Sequence, residues 1–259
     1  MNKYIDTHAH YMHRQFNKDR DELITNLFEN CVSAIVECGT NTFHNQRAIE
    51  FCESHSNIYA TIGYFPTDTK ELEENPELLK ELEKLLMHEK VVGLGEIGLD
   101  YYHQGNPTTQ KKWFVEQLKL AKRIGLPVCI HSREAEKDTL DILKNNGSYI
   151  GVIHCYAYGK KTMEELVKLG YYFGVGGTST YKNNAELREA IKHMPLERIV
   201  LETDCPYLTP SSFGKQRNDS SKISAVISEI AKIKGITEEE VIRQTNENAR
   251  KVYRKIVVQ

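Results

Sequence analysis

The sequence predicts an α/β fold, and within that class a TIM-like (β/α)8 barrel. Short segments rich in β-branched and apolar residues recur along the 259 residues. Their starts lie about 22–35 residues apart, the length of one βα unit. The eight predicted strands are residues 4–8, 33–38, 58–63, 91–96, 126–131, 149–154, 171–175 and 198–204. No long linker divides the chain, so we expect a single domain over residues 1–259.

Helical signals occupy the stretches between these strands. Asn75-Pro76 can cap and open a helix, and residues 237–240 match a capping box before the last helix. Apolar residues recur at helical spacing after Pro76 and after Pro107. They are Leu78, Leu79, Leu82, Leu85, Leu86, Trp113, Phe114, Leu118, Ala121 and Ile124. We interpret these stripes as packing surfaces rather than cofactor-binding motifs.

Composition excludes a protein that holds nucleic acid or an anionic membrane through its overall charge. The chain carries 34 Lys and Arg against 36 Asp and Glu, a formal net charge of −2, so a polyanion must be bound by a local patch. Six cysteines without a Cys-x-x-Cys pair, and a start that runs directly into a strand, indicate a reduced protein. No apolar run approaches the roughly 20 residues that cross a bilayer. We expect a cytoplasmic monomer that does not bind membranes.

Two histidines end the first predicted strand. Side chains alternate between faces along a strand, so His8 and His10 point to the same side, with Asp6 below them. Two imidazoles spaced in this way can chelate one ion. Taken alone, such a pair is more often a hydrogen-bonded structural feature.

Four further candidate ligands end later strands. Glu96 lies among glycines that leave room for an ion, and its two oxygens can bridge metals about 3.5–4 Å apart. A buried histidine without a partner is costly, and metal ligation would satisfy His131 and His154. Asp204 can ligate an ion and accept a proton from bound water. Together with the histidine pair, these residues predict a metal-dependent hydrolase with Asp204 and Glu96 as catalytic residues, and imidazole-rich ligands allow Zn, Mn, Fe or Co.

The other histidines are interpreted differently. His13 and His103 follow the first and fourth strands, where each could face the site or be a solvated loop residue. Helical or peripheral stretches, where a solvated surface residue is expected, contain His44, His55, His88 and His193. Residues 206–220 form the longest irregular piece and follow the last strand, which predicts an active-site loop.

These segments resemble the TatD family of metal-dependent deoxyribonucleases, a branch of the metallo-dependent hydrolase superfamily. The resemblance runs almost end to end. The matching motifs are DTHAH at 6–10, GEIGLDY at 95–101, IHSREA at 130–135, HCY at 154–156, ETDCPYL at 202–208 and NA at 248–249. The resemblance implies a TIM-like barrel and a 3′-to-5′ exonuclease acting on single-stranded DNA, with Mg or Mn.

The resemblance also implies a binuclear centre. His8, His10, Glu96 and Asp204 would hold one ion, and Glu96 with His131 and His154 would hold the second, with a hydroxide between them. The predicted reaction is hydrolysis of a phosphodiester bond by this metal-activated hydroxide, with Asp204 as the base.

Substrate contacts are predicted from residues that follow the strand ends. Arg133 could clamp a phosphate oxygen, and its alternative role is a salt bridge to Glu134 or Glu202. The loops also carry Lys160, Lys161, Lys182, Lys215, Arg217, Tyr11, Tyr64, Phe65, Tyr102, Tyr156, Tyr158, Tyr181 and Tyr207. Single-stranded nucleic acid, as DNA or another nucleic acid, is therefore the expected partner.

Two departures from the family pattern fall where substrate should bind. The family usually carries Gly-x-His-Pro-His after the third strand, whereas residues 63–67 read GYFPT, with Phe65 and Thr67 replacing the histidines. The Arg-Asn-Glu-Pro stretch of the last loop reads RNDS at 217–220. Neither change removes a predicted ligand, but both bear on substrate specificity and rate.

Two alternatives remain open at this point. The first is hydrolysis of another small substrate, such as an amide, lactone or phosphoester. Many enzymes of that kind bridge their metals with a modified lysine on the fourth strand, where this chain has Glu96. The second is a non-catalytic binding scaffold, and retention of the whole ligand set argues against it.

Overall fold

The computed structural model describes residues 3–146 and 150–257, in which eight parallel strands form one sheet in chain order. Each strand pairs in parallel with the next along the chain. The strands are β1 (Tyr4–Ala9), β2 (Val32–Cys38), β3 (Ile58–Ile62), β4 (Val91–Asp100), β5 (Val128–Arg133), β6 (Gly151–Ile153), β7 (Tyr172–Val175) and β8 (Ile199–Leu201).

Contacts between β1 and the end of β8 bring the sheet to near closure. Ala9 bridges Cys205 in parallel, and the His10 N–H donates to the Cys205 carbonyl at 2.9 Å. The Thr7 hydroxyl donates to the Leu201 carbonyl at 2.9 Å. The predicted TIM-like (β/α)8 barrel is confirmed.

Helices follow each of the eight strands. They are α1 (Arg20–Asn30), α2 (Thr42–Glu53), α3 (Thr69–Glu74), α4 (Leu78–Leu86), α5 (Pro107–Ile124), α6 (Glu136–Asn146), α7 (Lys160–Lys168), α8 (Ala185–His193), α9 (Ile223–Lys234) and α10 (Glu238–Val252). The Asn75 side chain accepts the Glu77 N–H ahead of α4, and the Thr237 hydroxyl accepts the Glu240 N–H. The helix predicted after Asn75-Pro76 begins at Leu78, and Thr237 caps α10 as predicted.

Strand boundaries differ from the predicted ones mainly at β4 and β8. β4 continues four residues beyond Glu96, because its pairing with β5 shifts register after Leu94 and resumes at Ile97. β8 ends at Leu201, so Asp204 lies in the segment that follows the strand. The predicted start of the sixth strand, Tyr149, lies outside the described residues.

The C-terminal helix covers the amino end of the barrel. Ala249, Val252 and Tyr253 pack in one buried cluster with residues near the strand starts. Tyr59 exchanges hydrogen bonds with the backbone of Val257, each at 3.0 Å, and the Ile5 N–H donates to the Asn246 side chain. The amino end is thereby closed, and the opposite end stays open.

In the described ranges, 3–146 and 150–257, no helix is both long and apolar enough to cross a membrane.

We predict that Asn248→Ala lowers the free energy of unfolding by about 1–3 kcal/mol, because buried carbonyls lose their donor. Asn248 is fully buried, and its amide donates to the carbonyls of Leu196 at 2.8 Å and Ile199 at 2.7 Å, tying α10 to the start of β8. Urea denaturation measures the change. Asn26→Ala, on the exposed face of α1, is the control and should stay within about 0.5 kcal/mol of the parent protein. Equal stability of both variants would contradict the anchoring role.

Candidate metal centre

The open end of the barrel holds a cavity of about 760 Å³. Its wall includes His10, Glu96, His131, His154 and Asp204. The sixth predicted ligand, His8, is only 1% exposed, and its ring stacks on that of His154 with centroids 3.6 Å apart. All six sequence-predicted metal ligands therefore converge on one place. They come from β1 and the residue after it, from β4 and β5, and from the segments that follow β6 and β8.

The histidine pair of β1 faces a carboxylate. The Nε2 atoms of His8 and His10 lie 3.1 Å apart. Oδ1 of Asp204 lies 3.2 Å from the His10 Nε2 and 3.6 Å from the His8 Nε2. Three donor atoms of ligand type thus surround one point.

Glu96 stands between two groups of imidazoles. Its Oε2 lies 3.6 Å from the His8 Nε2. Its Oε1 lies 2.7 Å from the His131 Nδ1 and 3.8 Å from the His154 Nε2. One carboxylate therefore presents one oxygen to each group, which is the arrangement a bridging ligand requires.

The pKa values of the site residues show strong attraction between its carboxylates and positive charge. Burial alone would raise the pKa of Glu96, but the imidazoles of His154, His131 and His8 hold that pKa far below its ordinary value. Burial alone would lower the pKa of His10, yet Asp204 raises it to about 9. Against the same burial effect, Glu202 and Glu96 raise the pKa of His154 to about 10. The Glu96 carboxylate is thus ionised and attracts cations.

Divalent cations fit this donor set. Among the described residues, four groupings of buried or half-buried ligand atoms, each within 4.8 Å of one another, lie in or behind the cavity wall. They are His8 with His10, Cys38 and Glu96; His8 with His154 and Asp204; Glu96 with His131 and His154; and His154 with Cys155 and Glu202. Imidazole nitrogens together with carboxylate oxygens are ligands of Zn, Mn, Fe and Co.

Two carboxylates behind the histidines were missed by the sequence reasoning. Asp100 Oδ2 lies 3.0 Å from the His131 Nε2, and Glu202 Oε1 lies 3.2 Å from the His154 Nδ1. Such outer carboxylates orient a metal-binding imidazole and select its tautomer. A sequence signal was available, because both lie inside the motifs GLDY and ETD, in register with Glu96 and Asp204 by strand alternation.

Asp6 is structural in this arrangement. It is fully buried and accepts hydrogen bonds from the Thr203 N–H and hydroxyl and from the Ser220 hydroxyl. Burial raises the pKa of Asp6 to about 7 despite these donors. The contacts hold β1 against the segment that carries Asp204.

Arg133 lies on the cavity wall and is exposed. Its guanidinium stacks over the Tyr102 ring, 3.8 Å from the centroid. Within the described residues it pairs with neither Glu134 nor Glu202, so the alternative salt-bridge role is not observed. Of the described residues that line the cavity, Arg133 alone carries a permanent positive charge.

Four other residues line the cavity, and one of them was expected at a solvated surface. Phe65 lines the cavity and meets His131 edge-on, with centroids 4.7 Å apart. His44, expected at a solvated surface, is exposed but lines the cavity together with His13 and His103.

Several residues predicted to contact substrate are buried or paired with other residues. Tyr11, Tyr64 and Tyr156 are at most 2% exposed, and the Tyr11 hydroxyl bonds the Ser220 hydroxyl in the interior. Arg217 makes a two-pronged ion pair with Asp19 at 2.9 and 2.6 Å. These side chains make contacts within the protein and do not line the cavity.

Comparison with known proteins identifies the family. The sequence model of a family described as "TatD related DNase" matches residues 5–254. A Bacillus subtilis (strain 168) protein named "Uncharacterized metal-dependent hydrolase YabD" is 38% identical over 253 residues, covering 96% of this chain and 98% of that protein. A Shigella flexneri protein named "3′-5′ ssDNA/RNA exonuclease TatD" is 29% identical over 229 residues, covering 85% of this chain and 87% of that protein.

A solved structure agrees with the sequence matches. The crystal structure of YJJV, a TatD homolog from Escherichia coli K12, superposes with a TM-score of 0.89 at 30% identity, and the alignment covers 98% of each chain. Because the family match spans nearly the whole chain and the barrel brings six candidate metal ligands together, this protein belongs to the TatD family and is a metal-dependent hydrolase.

Proposed function

We propose that the protein is a 3′-to-5′ exonuclease that hydrolyses phosphodiester bonds of single-stranded DNA at a binuclear metal centre. The observation that carries the proposal is Glu96, whose two oxygens face separate imidazole groups 3.6 and 2.7 Å away. Two-metal centres are typical of enzymes that cleave phosphate esters, where each ion balances charge on one side of the reacting phosphorus. The name of the Shigella flexneri relative supports the same substrate class.

The proposed ligands divide into two sets that share Glu96. His8, His10 and Asp204 complete the first set, and His131 with His154 completes the second. Family resemblance favours Mg or Mn, whereas the ligand types favour Zn, Co or Fe. When bound, two such ions would polarise the phosphoryl oxygens and lower the pKa of water.

The protein's own groups orient the reaction. Asp204 is the proposed base, since its side chain is 18% exposed and reaches the cavity, where it can take a proton from the attacking water. Asp100 accepts from one nitrogen of His131, so the other nitrogen is directed at Glu96. Glu202 lies at the same place behind His154.

Substrate would enter across the rim of the cavity. Arg133 is placed to pair with a phosphate oxygen, because stacking on Tyr102 holds its planar guanidinium at the wall. Phe65 offers an apolar ring on which a terminal base can stack, a contact worth about 1–3 kcal/mol per base and independent of sequence. Small-ligand sites measure about 300–1,000 Å³, so a cavity of about 760 Å³ favours the end of a strand over a duplex.

We further propose that the protein acts as a cytoplasmic monomer with a single domain. All six cysteines are free, as expected in a reducing compartment.

Degradation of single-stranded oligonucleotides tests the proposal directly. Protein stripped of metals and reloaded with Mg, Mn, Co or Zn is incubated with 3′-labelled or 5′-labelled oligonucleotides. We expect the 3′ label to be released first while the 5′-labelled strand shortens stepwise. Shortening from the 5′ end would reverse the polarity, and turnover of amide or lactone substrates without DNA cleavage would overturn the nuclease assignment.

Glu96→Ala should lose the bridge between the two ligand sets. We expect bound metal, measured by elemental analysis after dialysis, to fall below two ions per chain, and DNA cleavage to be abolished. Glu74→Ala, at an exposed position on α3, is the control for removing a carboxylate and should bind as much metal as the parent. Full metal content in Glu96→Ala would contradict the bridging role.

Asp204→Asn should keep its metals and lose turnover, because the amide fills the same space but cannot take the proton. General-base catalysis contributes about 10²–10⁴-fold, so kcat should fall by that factor with KM little changed. Asp141→Asn, on the exposed face of α6, serves as the control. An Asp204→Asn variant with normal kcat would rule out the proposed base.

A further inference from the structure

Cys38 and Cys155 each belong to a group of candidate ligand atoms, and neither has a part in the proposed function. Cys38 ends β2, beside β1, which carries His8 and is followed directly by His10. Its Sγ lies 4.0 Å from the Glu96 Oε2 and within 4.8 Å of a ligand nitrogen on each of the two histidines. The sulfur therefore belongs to the same four-atom group as the proposed ligands of the first ion.

The environment of Cys38 is not that of a core cysteine. Buried free cysteines usually behave as small apolar side chains, and Cys52 and Cys205 do so within the main hydrophobic cluster. Cys38 is 5% exposed, but among the described residues it belongs to neither hydrophobic cluster and instead lines the cavity. Packing alone does not explain a thiol at this position.

The backbone that carries the sulfur is held firmly. The Gly39 N–H donates to the Thr61 carbonyl at 2.9 Å, and the Gly39 carbonyl accepts the Glu96 N–H at 3.3 Å. Asn45, 1% exposed, packs so closely on Gly39 that an added Cβ would lie 2.4 Å from its Oδ1. A backbone hydrogen bond from Glu96 to Gly39 thus joins the two segments that carry the Cys38 and Glu96 side chains.

We infer that Cys38 is a ligand of the first ion and that it makes this centre select Zn²⁺ over Mg²⁺ and Mn²⁺. The inference rests on the proposed metal centre and specifies its ion. A thiolate is a soft ligand that favours Zn²⁺, whereas Mg²⁺ and Mn²⁺ prefer oxygen ligands. As the metal–sulfur bond forms, the thiol proton passes to solvent, and no oxidant or reductant takes part.

The four-donor group has a consequence for Asp204. His8, His10, Cys38 and Glu96 supply two nitrogens, one sulfur and one oxygen, enough donors to hold a zinc ion without Asp204. Asp204 is then not essential for holding the ion. Its carboxylate stays free for proton transfer, in line with the expectation that Asp204→Asn keeps its metals.

Cobalt(II) absorption tests the sulfur bond without reference to activity. The full-length protein, stripped of metals, is titrated with CoCl₂ while the near-ultraviolet sulfur-to-cobalt charge-transfer band and the visible bands of bound cobalt are recorded. We expect the charge-transfer band to saturate at one equivalent in the parent protein. Cys38→Ser and Cys38→Ala should lose that band and keep the visible bands.

Two other cysteines provide matched controls. Cys155 also lines the cavity and belongs to a separate ligand group with His154 and Glu202, whereas Cys31 lies half-buried at the end of α1. Cys155→Ser and Cys31→Ser should each retain the band. Absence of the band from the parent protein, its persistence in Cys38→Ser, or its loss in Cys155→Ser would each overturn the inference.

Zinc binding supplies a second readout that needs no variant to fold. The X-ray absorption spectrum of the parent protein loaded with one equivalent of zinc should show a sulfur neighbour at about 2.3 Å, and a shell of nitrogen and oxygen alone would overturn the inference.

Loss of an outer partner of a metal ligand already costs about 10–100-fold in metal affinity. In a chelator competition, Cys38→Ser should therefore weaken Zn²⁺ binding at least as much while leaving Mn²⁺ affinity nearly unchanged.

The inference and the proposed function fail in different experiments. If the protein shows the sulfur–cobalt band but cleaves no DNA with any metal, Cys38 is a metal ligand and the proposed nuclease activity is wrong. If the protein cleaves DNA with Mn²⁺ but lacks the band, the nuclease activity is supported and Cys38 is not a metal ligand.

Discussion

Closure of the barrel between β1 and the segment after β8 is the constraint on which the candidate site depends. Asp6 accepts the Thr203 N–H across 197 positions of sequence, and the His8 carbonyl accepts the Asp204 N–H at 3.0 Å. Both bonds lie in the interior, where water cannot replace a lost partner, so breaking them is costly. This closure brings the histidines of the first strand within reach of the last carboxylate.

Charge balance then shapes the floor of the cavity. Glu96, Asp100 and Glu202 are each at most 3% exposed, and burial of an ionised carboxylate is unfavourable unless it is paired. Each lies close to an imidazole, and His131 is shared between Glu96 on one nitrogen and Asp100 on the other. An inner carboxylate backed by an outer one polarises the imidazole between them. The same charges that make metal binding favourable therefore also fix ring orientation.

Prediction from sequence succeeded where the signal was local. Asn75, shortly before α4, and Thr237, at the start of α10, each accept a hydrogen bond from a backbone N–H two or three residues away. The extent of β4 was not local, since its last four residues are extended only because β5 pairs with them after a register shift. Tyr11 and Tyr156 follow strand ends as substrate-facing residues would, yet both are buried because later segments fold over them.

The sequence by itself determined the barrel, its helices and the six polar residues at or near the strand ends, because parallel strands in βα order place their carboxyl ends at one rim. Only the tertiary structure decided how those residues group. It placed the two oxygens of Glu96 toward different imidazoles, put Asp100 and Glu202 behind the histidines, and brought the Cys38 sulfur among the donors. Such distances depend on strand tilt, register and closure. These features arise from the packing of the whole chain, so no single segment of sequence predicts them.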